Sequence, residues 1–177
     1  MHSGYPDALA RVDATSFRQV PWDQGMPFLL ADFYDGEGQP LAVCPRQLLK
    51  AVRDQARAQG YAASFAQEFE WFNFRETADS LHAKGFDHPQ PLSPGLFGYS
   101  LLRVYEAAIL YDDVLEAADR AVLFKAGVKE IGKAHGIVPS FMAKWSEALP
   151  GCSGHLHQSL WQEGRNVFSD PDDTHGM

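Results

Sequence analysis

The sequence predicts an α+β fold, on three observations. Two stretches, Pro45–Gly60 and Asp113–Gly136, repeat apolar residues at helical spacing between start and stop residues. Around them lie short runs with the two-residue alternation of half-buried strands, as in 61–74 and 155–161. The length of 177 residues fits one domain with a small appendage, at roughly 100–200 residues per domain. The composition, 45% hydrophobic and 21% charged, is that of a chain able to bury a core.

Each element has its own reason. Residues 1–27 are rich in Asp, Pro and Gly and weakly periodic, so they read as loop and turn leading into a strand. Phe28–Tyr34 is the first clear strand. Asp35-Gly36-Glu37-Gly38 reads as a turn, and Leu41-Ala42-Val43 as the return strand of a hairpin. Pro45 stands where a helix starts, Leu48, Leu49, Val52 and Ala56 continue it, and Gly60 ends it. Tyr61–Phe74 is aromatic-rich and strand-like. Residues 75–98 carry no sustained period and read as a long loop. Val104–Leu110 reads as a strand. Asp112 or Asp113 caps a long helix, with Glu116 three residues after Asp113. Val114, Leu115, Ala118, Val122 and Ile131 give that helix an apolar face, and Gly136 ends it. Ile137–Trp145 and His155–Trp161 read as strands, and Asp170–Met177 as a polar, frayed tail.

Charge narrows the function. Fifteen basic and 23 acidic residues leave a net charge of −8, which disfavours a nucleic-acid partner, since that needs a basic stripe. Phosphate ligands stay compatible where metal ions supply positive charge. No run approaches the ~18–20 apolar residues of a membrane span. The first residues lack the basic and apolar regions of a secretory signal. Cys44 and Cys152 stand far apart, with no disulfide framework and no zinc-cluster spacing. The expected compartment is the cytoplasm.

Two spacings carry chemistry. Glu68 and Glu70 share one face of a strand, with Phe69 and Trp71 on the other. His155, His157 and Ser159 likewise share a face, opposite Leu156 and Leu160. Each pair alone also describes a solvated, hydrogen-bonded strand face. Together they favour a divalent cation, because like charges side by side repel. Carboxylates with imidazole suit Mg²⁺ or Mn²⁺. Glu106, in an otherwise apolar strand, is a third carboxylate that needs a cation or strong donors if buried; a strand-edge glutamate is the alternative. Lys125 and Lys144 read first as surface or structural residues and second as phosphate contacts. Asp119, Arg120, Lys129, Glu130 and Lys133 read as a solvated helix face.

The run Phe65-Ala66-Gln67-Glu68-Phe69-Glu70-Trp71-Phe72-Asn73-Phe74 resembles the Glu-x-Glu strand of glutamine synthetases. Gly151-Cys152-Ser153-Gly154-His155-Leu156-His157-Gln158-Ser159-Leu160 resembles their Gly-Ser-Gly-x-His-x-His-x-Ser-Leu segment. Ala117–Ala121, Phe124-Lys125, His135-Gly136 and Phe141–Lys144 are similar to the helix and strand between. The wording Phe-Met-Ala-Lys-Trp and Pro-Gly-Cys-Ser-Gly-His resembles the divergent branch with γ-glutamylpolyamine synthetase-like enzymes and lengsin. The resemblance implies a partial catalytic domain over 44–177 and a remnant of the N-terminal β-grasp domain over 1–43. It implies an ATP-dependent carboxylate–amine ligase joining glutamate to ammonia or an amine, with Mg²⁺ or Mn²⁺ and ATP, in a homo-oligomer. By it, Glu70 and Glu106 hold the metal nearer the carboxylate substrate, and Glu68 and His155 the metal on the nucleotide phosphates. His157 contacts the transferred phosphoryl group. Ser159 and Tyr111 match positions near the nucleotide, and Gly151 the loop that meets the amino-acid substrate.

The pattern also departs from the family. Its chains are more than twice this long. A late start, a jump between Arg103 and Val104, and a stop at Met177 omit most of the β-grasp domain, further metal glutamates and the substrate-binding arginines. A non-catalytic relative with a structural or assembly role is therefore the second reading.

Overall fold

The computed structural model describes residues 7–93 and 106–177. Within them, β1 (Leu9–Val20) and β2 (Met26–Tyr34) precede α1 (Pro45–Ala58), β3 (Ala62–Glu70), β4 (Phe72–Phe74) and α2 (Ala78–Ala83). Then follow β5 (Glu106–Ala108), β6 (Asp112–Asp113), α3 (Val114–Ala134), β7 (Val138–Ser140), β8 (Gly154–Gln162) and β9 (Arg165–Asn166). The mixture is α+β, as expected. The proposed jump at Arg103–Val104 lies outside the described residues. The chain divides into two compact units.

The first unit holds residues 1–65, 112–119 and 158–177. Its hairpin corrects the expectation for residues 1–27, because Leu9–Val20 is a long strand paired antiparallel with β2. The register jumps between Asp13↔Leu30 and Arg18↔Phe28, so Ala14–Phe17 face Leu29 alone. That bulge breaks the two-residue alternation and hides the strand in the sequence. Buried Ser16 fills the gap: its Oγ donates to the Asp13 carbonyl at 2.6 Å and accepts from Leu30 N–H at 2.7 Å. Leu41–Val43 is accordingly not the return strand. After the Tyr34↔Pro40 bridge it turns into α1.

α1 begins at Pro45 and gives way to Gly60 at φ 85°, as the sequence indicates. It packs by charge rather than by its whole apolar stripe, since Leu48 and Val52 are exposed. The Arg46 guanidinium donates to Asp119 from both Nε and Nη2, and to Asp13 and Asp32 from Nη1. Lys50 joins the same two hairpin carboxylates. Asp119 therefore does not belong to a solvated face; its side chain is only 11% exposed. The Thr15 hydroxyl, followed by Lys50 and Arg46, holds the Asp13 carboxyl below the usual range; Lys50 and Arg46 do the same for Asp32, and Asp119 above all raises Arg46.

The second unit holds residues 66–111 and 120–157. Here β5 pairs antiparallel with β3, in the register Glu68↔Ala108, Phe69↔Ala107 and Glu70↔Glu106. β8 is also a neighbour of β3, and β6 pairs antiparallel with the start of β3 through Ser64↔Asp113 and Phe65↔Asp112. β4 pairs antiparallel with β7. The expected long strand at 61–74 is thus two strands, and the one at 137–145 is only Val138–Ser140. Beyond Ser140 the chain turns so that Phe141 packs on Phe69 and Trp71, and Trp145 on Phe72 and Phe74.

The 75–98 segment is not all loop either. α2 is started by a Thr77–Ser80 capping box, each hydroxyl accepting the other's backbone N–H. Buried Glu76 ties this turn together, accepting from Lys84, Ser80 and the Gln90 backbone N–H.

α3 starts where Asp113 accepts the Leu115 N–H at 3.0 Å and ends before Gly136 at φ 67°. Its most buried positions are small, namely Ala117, Ala121, Gly127 and Gly132. Val122 and Ile131, expected on the apolar face, are exposed. Small residues let the backbone approach its neighbours: a Cβ on Gly132 would lie 2.4 Å from Pro139 Cγ.

Candidate metal centre

Strand alternation builds the centre. Phe69 stacks on Phe124 with centroids 5.4 Å apart, and Trp71 meets the same ring edge-on at 5.8 Å. With those rings packed on one another, Glu68 and Glu70 take the opposite face of β3. Across from them, β8 presents His155 and His157.

Two carboxylate–imidazole pairs span the strands. Glu68 Oε2 lies 2.9 Å from His157 Nε2, and Glu70 Oε1 lies 3.0 Å from His155 Nε2. Partner numbers fall along β8 as they rise along β3, the order of antiparallel neighbours. Glu68, Glu70 and His155 each offer one ligand atom, all within 4.8 Å of one another. The carboxylates are half-buried and the imidazoles open to solvent. This hard, oxygen-rich donor set fits Mg²⁺ or Mn²⁺.

Glu70 has further donors. Its Oε2 accepts the Ser153 backbone N–H at 2.9 Å, and its Oε1 the Ser153 hydroxyl at 3.2 Å. The Ser153 N–H, with His155 behind it, holds the Glu70 carboxyl below its ordinary range. Burial and the Glu70 charge push the Cys152 thiol up.

The remaining expected residues fall as follows. Glu106 is the register partner of Glu70 on β5. Gly151 sits where a Cβ would lie 2.4 Å from the Ala143 carbonyl oxygen, so only glycine fits that approach. Tyr111 is exposed. Ser159 lies farther along β8 and accepts Trp161 Nε1–H at 2.8 Å. Lys125 lies over the Phe141 ring, 5.2 Å from its centroid, which supports a structural role. Sequence reasoning missed Ser153 as a contact of Glu70. The signal was present: residues 153, 155, 157 and 159 continue one two-residue alternation.

Known proteins resemble this chain in sequence and in fold. Residues 102–177 match the family described as "Glutamine synthetase, catalytic domain". Type-1 glutamine synthetase 2 of Dictyostelium discoideum is 41% identical over 209 aligned positions, covering 99% of this chain and 40% of that protein. Glutamate–isopropylamine ligase of a Pseudomonas species is 32% identical, covering 96% of this chain and 44% of that protein. The chain thus spans about two fifths of the length of these curated relatives. The solved structure "Apo GmaS without ligand" superposes with a TM-score of 0.80 at 25% identity, covering 100% of this chain and 48% of the other. By sequence and by fold, the chain belongs to the glutamine synthetase family and carries part of its catalytic-domain fold.

Proposed function

We propose that this chain contributes the metal-binding strands of an ATP-dependent carboxylate–amine ligase. The observation that carries the reading is the convergence of Glu68, Glu70 and His155 within 4.8 Å. Glutamate is the carboxylate substrate, and ammonia or an amine the nitrogen donor. Relatives named for isopropylamine and for γ-glutamylethanolamide support an amine as readily as ammonia.

Glu70 with Glu106, and Glu68 with His155, are the groups that would hold Mg²⁺ or Mn²⁺. When bound, such ions neutralise phosphate charge during transfer. A glutamate side-chain oxygen attacks the γ-phosphorus of ATP, and ADP leaves. The amine nitrogen then attacks the acyl carbon, phosphate leaves, and the nitrogen gives up a proton. His157 stands beside Glu68 as the contact for the moving phosphoryl group. Gly151 belongs to the loop facing the amino acid, and Ser159 and Tyr111 to the nucleotide side. Residues 1–43 are the remnant of a β-grasp domain, the chain functions in the cytoplasm, and the full enzyme is a homo-oligomer.

Calorimetric titration of the purified chain tests this, first with Mn²⁺ and then with ATP in the presence of Mn²⁺. Saturable binding lost in Glu68→Ala and His155→Ala supports the ligase site. A folded chain that binds neither Mn²⁺ nor ATP supports the structural or assembly role instead.

A further inference from the structure

We infer that the Ser153 hydroxyl is the positioning group for the cation site, holding Glu70 and His155 in one arrangement. The inference rests on the metal reading above and deepens it. Ser153 Oγ lies 3.2 Å from Glu70 Oε1 and 3.0 Å from His155 Nε2, while its backbone N–H reaches Glu70 Oε2 at 2.9 Å. One residue thus touches both oxygens of one ligand and the ring nitrogen of another.

The serine is itself fixed. The Glu70 N–H donates to the Ser153 carbonyl at 3.1 Å, and the Cys152 N–H donates to the Ala143 carbonyl at 2.8 Å. The Cys152 thiol reaches the Met142 carbonyl at 3.3 Å. Gly151 closes the approach by leaving no side chain against Ala143. The 151–153 loop is therefore pinned on one side to 142–143 and on the other to β3.

Cation loading changes these bonds unequally. A ligating Nε2 presents its lone pair to the ion, so its hydrogen bonds to Glu70 and to the Ser153 hydroxyl are both given up. The hydroxyl and N–H of Ser153 still donate to Glu70, which keeps the carboxylate aimed when its imidazole partner is engaged. Groups that orient ligands in this way typically contribute about 10–100-fold to metal affinity.

The test is Mn²⁺ affinity, read by the electron paramagnetic resonance signal of the free ion, for wild type, Ser153→Ala, Ser153→Thr and Glu68→Ala. The expected result is affinity weakened about tenfold in Ser153→Ala, restored in Ser153→Thr and lost in Glu68→Ala. Wild-type affinity in Ser153→Ala, with binding still lost in Glu68→Ala, overturns the positioning role and leaves the metal site standing. Absence of Mn²⁺ binding by the wild type overturns the metal reading, and this inference with it. Should Ser153→Ala and Ser153→Gly both fail to fold, the serine is structural and the inference is overturned.

Discussion

The Arg46 guanidinium grips the Asp119 carboxylate with two parallel hydrogen bonds, 2.9 Å from Nε and 2.8 Å from Nη2. The same side chain reaches Asp13 and Asp32 on the hairpin, at 2.8 and 2.9 Å. One planar cation thus joins α1, the first turns of α3 and both strands of the β1–β2 hairpin.

Replacing Arg46 with methionine leaves three carboxylates with Lys50 as the neighbouring cation. Breaking a buried ion pair from one side costs about 3–5 kcal/mol. The expected outcome is a clearly lowered melting temperature for Arg46→Met. Arg46→Lys recovers only part of it, because an ammonium cannot reproduce the two-toothed contact. Thermal melts by circular dichroism check the order wild type, then lysine, then methionine.

Two effects compete at Gly132. Alanine gains about 1 kcal/mol in helix propensity. Its Cβ would lie 2.4 Å from Pro139 Cγ and 2.6 Å from Pro139 Cδ, both on a rigid ring. Overpacking of that kind costs about 1–3 kcal/mol. The clash is the larger effect, so Gly132→Ala lowers the melting temperature; a rise would refute the close approach of α3 to β7.

Glu76 gives a pH signature. Lys84, Ser80 and the Gln90 N–H lower its carboxyl from an ordinary 4.5 to about 2. A depressed carboxyl contributes stability that is fully present above its unfolded value and lost as pH falls through the folded one. Protection of the 76–90 amides in hydrogen exchange, corrected for intrinsic rates, should fall between pH 4.5 and about 2. Glu76→Gln should already be weakly protected at neutral pH and lack that step.

Phe69 tests whether the core orients the carboxylates. Removing the half-buried Phe69 ring forfeits its packing on Phe124 and Phe141. Phe69→Ala should lower stability and also weaken Mn²⁺ binding, although the side chain faces away from Glu68 and Glu70. Phe69→Leu, which retains most of the volume, should keep most of the affinity. Equal Mn²⁺ affinity in a folded Phe69→Ala variant would show that β3 holds its register without the ring.

The sequence by itself determined the two long helices, α1 and α3, and the alternating faces of β3 and β8. Pro45, Gly60, Asp113 and Gly136 act within one turn of their own position, and the alternation in Glu68–Trp71 and His155–Leu160 is a property of any extended chain. Other features were decided only by tertiary structure. β1 is hidden because its bulge interrupts the alternation, and its pairing with β2 depends on residues far along the chain. Asp119 looks solvated until Arg46 arrives from 73 residues away. The buried side of α3 is set by small residues that permit close approach, not by its largest apolar ones. The alternation puts Ser153 on the face of His155 and His157, but Ser153 becomes a partner of Glu70 only when β3 and β8 are neighbours, because a hydrogen bond depends on distance in space.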